Sequence, residues 1–273
     1  MPSLIEQLNE TVAFIRSKYP SASETGIVLG SGLGNFLNEI EVRVSIAYQD
    51  IPHFPVSTVT GHDGCLVFGE LNGTRIVVMA GRFHYYEGYS PQDVVYPVRV
   101  MKMLGVKNLF LSNAAGGVNT SFKVGDLMII KDHISMAVIN PLIGKNEETI
   151  GPRFPDMSEP YSRDLIAKAK KAAQKLGISV VEGVYFGVTG PTFETHAEYR
   201  MIKLLGADAV GMSTVQENIV AVHMGMNVLA ISVITDMGIR DDDSVITHEE
   251  VLQAAGEAEP KLTAIFKELV GKL

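Results

Sequence analysis

Cysteine is nearly absent: Cys65 stands alone among 273 residues. No disulfide can close within the chain, and no cysteine-based metal site can form. Both exclusions fit the cytoplasm. Positive charge is also scarce, with 23 Lys and Arg against 31 Asp and Glu and a formal net charge of −8. That balance argues against nucleic acid or an anionic membrane as a partner. An anionic substrate would have to be met by a local basic site inside a repelling field. No apolar run approaches the ~20 residues of a membrane span. The N-terminus carries early acids and apolar residues at helical spacing (Leu4, Leu8, Val12, Ile15), unlike a signal peptide. There is no internal repeat, low-complexity segment or linker. No metal-ligand spacing is present either. His196-x-Glu198 lies within a helix-capping pattern, and His53, His133 and His223 read as structural.

What the chain does have is a run of short apolar segments: 27–29, 65–71, 75–80, 108–112, 126–133, 180–188, 209–212 and 228–235. Their continuous hydrophobicity predicts strands covered on both faces. Helices are expected near 91–104, 162–176, 195–205 and 214–224. Ser90-Pro91 opens the first of these. Thr195-x-x-Glu198, Thr214-x-x-Glu217 and Thr247-x-x-Glu250 form three capping boxes. Gly105, Gly177, Gly206 and Gly225 follow apolar helix ends, as C-terminal caps do. The fold class is therefore α/β: a single domain over 1–273, with a central mixed, largely buried β-sheet flanked by helices.

The stretch Thr25–Phe36, TGIVLGSGLGNF, has the form of a phosphate-binding turn after a strand. A dinucleotide fingerprint fails here, because Asn35 stands where the third glycine belongs. The next acid, Asp50, lies among prolines rather than at a strand end. No Gly-Lys-Ser/Thr follows, which removes a Walker A loop. Ser31 remains, a hydroxyl between two glycines that let the backbone approach an anion. Three further segments suit phosphate. Arg82 and His84 sit at i and i+2 directly after a strand and share a face. Ser213 begins a helix, where free N–H groups favour an anion. His62 lies between two glycines in GHDG.

Taken in order, GSGLG, GHDG, RFHYYEGYS, SNAAGGVN, GPRFPDMS, GPTFETHAEYRMIKLLGADAVGMSTVQE and THEEV resemble the trimeric purine nucleoside phosphorylases. The wider family includes methylthioadenosine phosphorylase, and the resemblance runs from about Gly26 to Val251. It implies the nucleoside phosphorylase-like fold, a homotrimer with active sites near subunit interfaces, and reversible phosphorolysis in purine salvage. A purine nucleoside and inorganic phosphate would give the free base and ribose 1-phosphate, with phosphate as co-substrate and no cofactor or metal. By that resemblance Ser31, His62, Arg82, His84, Ala114 and Ser213 hold phosphate. Tyr86, Tyr185, Met212 and His248 hold ribose. Ala114, Phe193, Glu194 and Asp236 hold the purine. His84, Glu194, Asp236 and His248 carry the catalytic roles.

The chemistry suits these groups. Cleaving a glycosidic bond builds positive charge on the sugar and negative charge on the leaving base. A dianion held dry against the sugar stabilises the first and then bonds to it. Ionised Glu194 only accepts hydrogen bonds. It fits the N1–H of a 6-oxopurine and repels the bare N1 of adenine, a difference on the order of 10²–10⁴ in selectivity. Asp236 departs from the pattern, because the 6-oxopurine enzymes are expected to have Asn there and the methylthioadenosine branch has Asp. A protonated Asp236 keeps the preference for inosine and guanosine. An ionised one admits adenosine. A second departure is Ile150, at the position expected to carry an aromatic that reaches the neighbouring subunit's sugar. The acidic stretch Met237–Val245 joins Asp236 to His248 and reads as a solvated loop or a gate over the base. The rivals are a nucleosidase of similar fold that uses water, and a nucleoside-binding regulator without turnover.

Overall fold

The computed structural model describes residues 2–56, 63–239 and 246–272. Predicted site residue His62 and the segment Arg240–Val245 lie outside them. Strands β1 (Thr25–Val28), β2 (Glu41–Ala47), β3 (Cys65–Leu71), β4 (Thr74–Ala80), β5 (Asn108–Gly117), β6 (Leu127–Ile134), β7 (Val180–Gly187), β8 (Ala209–Gly211) and β9 (Asn227–Met237) form one sheet. Its order is β2-β3-β4-β1-β5-β8-β7-β6-β9, and β5 also pairs with β9. That extra pairing closes β5, β8, β7, β6 and β9 into a ring of strands. The sheet is mixed. β1 runs parallel to β4 and β5, and β5 parallel to β9. β5 meets β8, and β6 meets β9, antiparallel.

Six helices flank the sheet among the described residues: α1 (Leu4–Lys18), α2 (Pro91–Leu104), α3 (Arg163–Leu176), α4 (His196–Leu204), α5 (Val215–His223) and α6 (His248–Val270). α2 packs against α1 and α5, and α3 packs against α6. The apolar spacing of the N-terminus becomes the buried stripe Leu8, Val12 and Ile15 of α1. Gly105, Gly177, Gly206 and Gly225 all take positive φ after their helices, the conformation that releases the chain toward the next strand. None of the described helices is long and apolar enough to cross a membrane.

Two elements depart from the sequence reading. β2 is an edge strand whose residues are mostly exposed, so it lacks the continuous apolar signal. β5 does not end at Ser112. It continues through Asn113–Gly117, with a register shift against β9 between Ala115 and Gly116. Such a bulge bends the strand and re-aims its side chains. It carries Gly116 and Gly117 over to pair with Val210 and Ala209 of β8.

Candidate active site

A cavity of about 350 Å³ opens where β5 crosses onto β8. Eleven sequence-predicted residues line it: Ser31, Arg82, His84, Tyr86, Ala114, Phe193, Glu194, Met212, Ser213, Asp236 and His248. They come from the ends of β1, β4, β7, β8 and β9, from β5 itself and from the first turn of α6. Asn113, Gly116, Tyr199 and Thr235 are among the other lining residues, although sequence reading did not single them out as site residues.

At one end, Arg82 leaves β4 fully buried. Its Nε and Nη2 donate to Glu217 Oε1 at 3.2 Å and Oε2 at 3.0 Å. Nη1 donates to the Ser112 carbonyl of β5. The guanidinium is thus clamped on two edges before any ligand is considered. Gly30 makes room for it, since a Cβ there would stand 2.7 Å from Ser112 O and 3.2 Å from Arg82 Nη1. Across from Arg82, Ser213 precedes an unusual turn. Thr214 has φ 72° and ψ −48°, and Val215 N donates to Ser213 O at 2.7 Å. That is a rare, strained three-residue turn, and such strain clusters at functional sites. Asn113 Nδ2 donates to Thr214 Oγ1 at 2.8 Å and helps to hold it. Thr195 and Thr247 cap their helices as ordinary reciprocal boxes. The Thr214 box differs, because its glutamate is also the partner of Arg82.

His84 is buried and stacked on Tyr86, with ring centroids 4.6 Å apart. Its Nδ1 lies 3.0 Å from Glu87 Oε1, and its backbone N–H donates to the same oxygen at 2.7 Å. A carboxylate only accepts, so Nδ1 carries the hydrogen and Nε2 is the other working atom. Burial holds the imidazole below the ordinary histidine range, and the Glu87 hydrogen bond partly offsets this. Burial also pushes the Tyr86 phenol up to about 12, so it works as a neutral hydroxyl.

At the opposite end stand Glu194 and Asp236. Burial raises the Glu194 carboxyl, backbone and Tyr199 hydrogen bonds pull it back, and the charge of Asp236 raises it further. Thr235 Oγ1 donates to Asp236 Oδ1 at 3.0 Å. The bulged strand brings Gly116 so close that its missing Cβ would lie 3.0 Å from Asp236 Oδ2.

Among the described site candidates, Tyr185 is the one that lies off the cavity wall. It is fully buried. Its hydroxyl touches the backbone of Ser213, accepting from its N–H at 3.5 Å, and lies against Gly211, where a Cβ would stand 2.2 Å from it. Ile150 is half-buried, packs against its own core and does not line the cavity. In the same segment Phe154 is the large aromatic that projects, 87% exposed.

Residues 24–271 match the phosphorylase superfamily. The chain is 53% identical to purine nucleoside phosphorylase 1 of Geobacillus stearothermophilus over 96% of both chains. It is 50% identical to purine nucleoside phosphorylase 1 of Bacillus subtilis over 98% of both. Among solved structures, it is similar to the purine nucleoside phosphorylase of Schistosoma mansoni in complex with inosine. There the TM-score is 0.93 and the identity 41%, covering 98% of this chain and 97% of the other. The Schistosoma mansoni enzyme in complex with adenosine gives a TM-score of 0.94 at 42% identity, over 98% of each chain.

Proposed function

The chain belongs to the phosphorylase superfamily, its activity is purine nucleoside phosphorolysis, and we propose how its site performs that pentosyl transfer. Inorganic phosphate is the co-substrate, and no cofactor is needed. Arg82, Ser31, Ser213, His62 and the backbone of Ala114 hold the phosphate below the sugar, with His84 Nε2 beside it. The glycosidic bond breaks, the bonding pair leaves with the purine, and a phosphate oxygen bonds to the anomeric carbon. Tyr86, Met212 and His248 hold the ribose. The clamped guanidinium of Arg82 is the observation that carries this reading, since a pre-oriented fork costs little reorganisation when charge develops.

Phe193, Glu194 and Asp236 face the purine. Burial raises the Glu194 carboxyl, the Tyr199 and backbone hydrogen bonds work against that rise, and two carboxyls this close oppose ionising together. We assign the proton to Asp236 because an acceptor at Glu194 fits the N1–H of a 6-oxopurine, and Asp236 then donates to N7 or O6. Inosine and guanosine are the preferred substrates.

The assembly is a homotrimer, and its place is the cytoplasm, in keeping with a lone cysteine. The strongly exposed apolar side chains Met136, Phe154 and Leu204 support an assembly that covers them. The inter-subunit contact expected at Ile150 is made by an aliphatic side chain. The test is Arg82→Ala: phosphate-dependent turnover falls on the order of 10²–10³-fold, as for loss of one preorganised donor, while purine binding stays measurable. Unchanged turnover would contradict the assignment.

A further inference from the structure

Glu217 is a buried carboxylate beside a site read here as one for a phosphate dianion, and by charge alone it opposes that ligand. Its contacts give it another purpose. One carboxylate grips both walls. From the β4 side it receives Arg82 Nε and Nη2 at 3.2 and 3.0 Å. From the α5 side its Oε2 also accepts the Thr214 backbone N–H at 3.0 Å. That bond helps to hold Thr214 at φ 72°, in the turn that fixes Ser213. The two phosphate ligands are far apart in sequence, and Glu217 is the group that touches both of their supports.

We propose that Glu217 is a positioning residue for phosphate, setting Arg82 and, through Thr214, Ser213 at the spacing the anion requires. This rests on the reading of the cavity as a phosphate site. A misplacement of about 1 Å in such a constellation costs on the order of 100-fold. The geometric gain therefore outweighs the like charge.

Two variants separate position from charge. Glu217→Gln keeps the reach and removes the charge. Glu217→Asp keeps the charge and shortens the reach by one methylene. Steady-state kinetics with inosine would give kcat and the KM for each substrate. Phosphate binding would be followed by calorimetry. Both variants are expected to raise the phosphate KM by about 10- to 100-fold, with the inosine KM within about threefold. A Gln variant that binds phosphate as well as or better than the wild type would overturn the proposal, since charge would then decide. So would equal losses for both substrates, the mark of a merely structural role. If Glu217→Gln fails to fold, Glu217→Asp carries the test, because the buried ion pair survives in it. Absence of phosphate-dependent turnover in the wild type would instead sink the phosphate reading beneath it.

Discussion

Arg82 and Glu217 meet edge to edge in the interior, with two near-parallel N–H···O bonds of 3.2 and 3.0 Å between them. The pair joins a strand end to a helix start that are 135 residues apart in sequence. A buried pair of this kind contributes little net stability, yet losing one partner is costly. Its value lies in fixing where the guanidinium points.

The base end gives the first prediction. In Asp236→Asn an amide replaces the assigned acid and can still donate to N7 or O6. The kcat/KM for inosine and guanosine is expected to stay within about tenfold of wild type, with adenosine poor in both proteins. The check is kcat/KM for the three nucleosides in each protein. Equal wild-type rates on adenosine and inosine would sink the assigned proton.

Glu194 carries the complementary prediction. Glu194→Gln removes an ionised acceptor facing N1–H and substitutes a group that can present a donor there. The kcat/KM for inosine is expected to drop on the order of 10²–10⁴-fold. A change below about tenfold would remove Glu194 from base recognition.

The glycine-rich turn separates into positions that must be glycine and one that need not be. A Cβ on Gly30 would meet backbone, at 2.7 Å from Ser112 O and 2.9 Å from Asn113 Cα. Gly32 holds φ +75° and would press on Ala255 Cβ at 2.9 Å. A Cβ on Gly34 meets nothing within 4 Å. Gly30→Ala is expected to cost about 1–3 kcal/mol of stability and to weaken phosphate binding. Gly34→Ala should change stability by no more than about 1 kcal/mol. Denaturant melts and the phosphate KM of the two variants check this, and equal effects would contradict it.

Acid should destabilise the fold through its histidines. His84, His133 and His223 are all held below the ordinary range, in each case first by burial. Below about pH 6.5 the unfolded chain takes up protons that these sites resist. Stability is therefore lost as pH falls through that value toward the folded pKa values. Glu194, raised by burial, opposes this trend. Melting temperature is expected to fall between about pH 7 and pH 5.5. A flat or rising profile in scanning calorimetry would contradict the balance.

Much of the fold was legible because its strands are covered on both faces. Cys65–Leu71 and Pro91–Leu104 fall where apolar runs and capping put them. β2 was not, since an exposed edge strand leaves no continuous apolar run. Of α6 only the first turn was visible, and Pro260 interrupts the helical pattern beyond it. At the site, motif order located the lining side chains. What it could not give was support from behind. Glu217 looked like a capping glutamate, because its partner Arg82 lies 135 residues away and meets it only in the folded chain. Nor does sequence tell that the Tyr185 hydroxyl on β7 receives the Ser213 N–H, a contact made only when β7 and β8 pair.

The most direct measurement is product analysis of inosine turnover with and without phosphate. Hypoxanthine and ribose 1-phosphate are expected in equal amounts, with turnover abolished when phosphate is removed and restored when it is added back. Free ribose formed at the same rate without phosphate would contradict phosphate as the nucleophile.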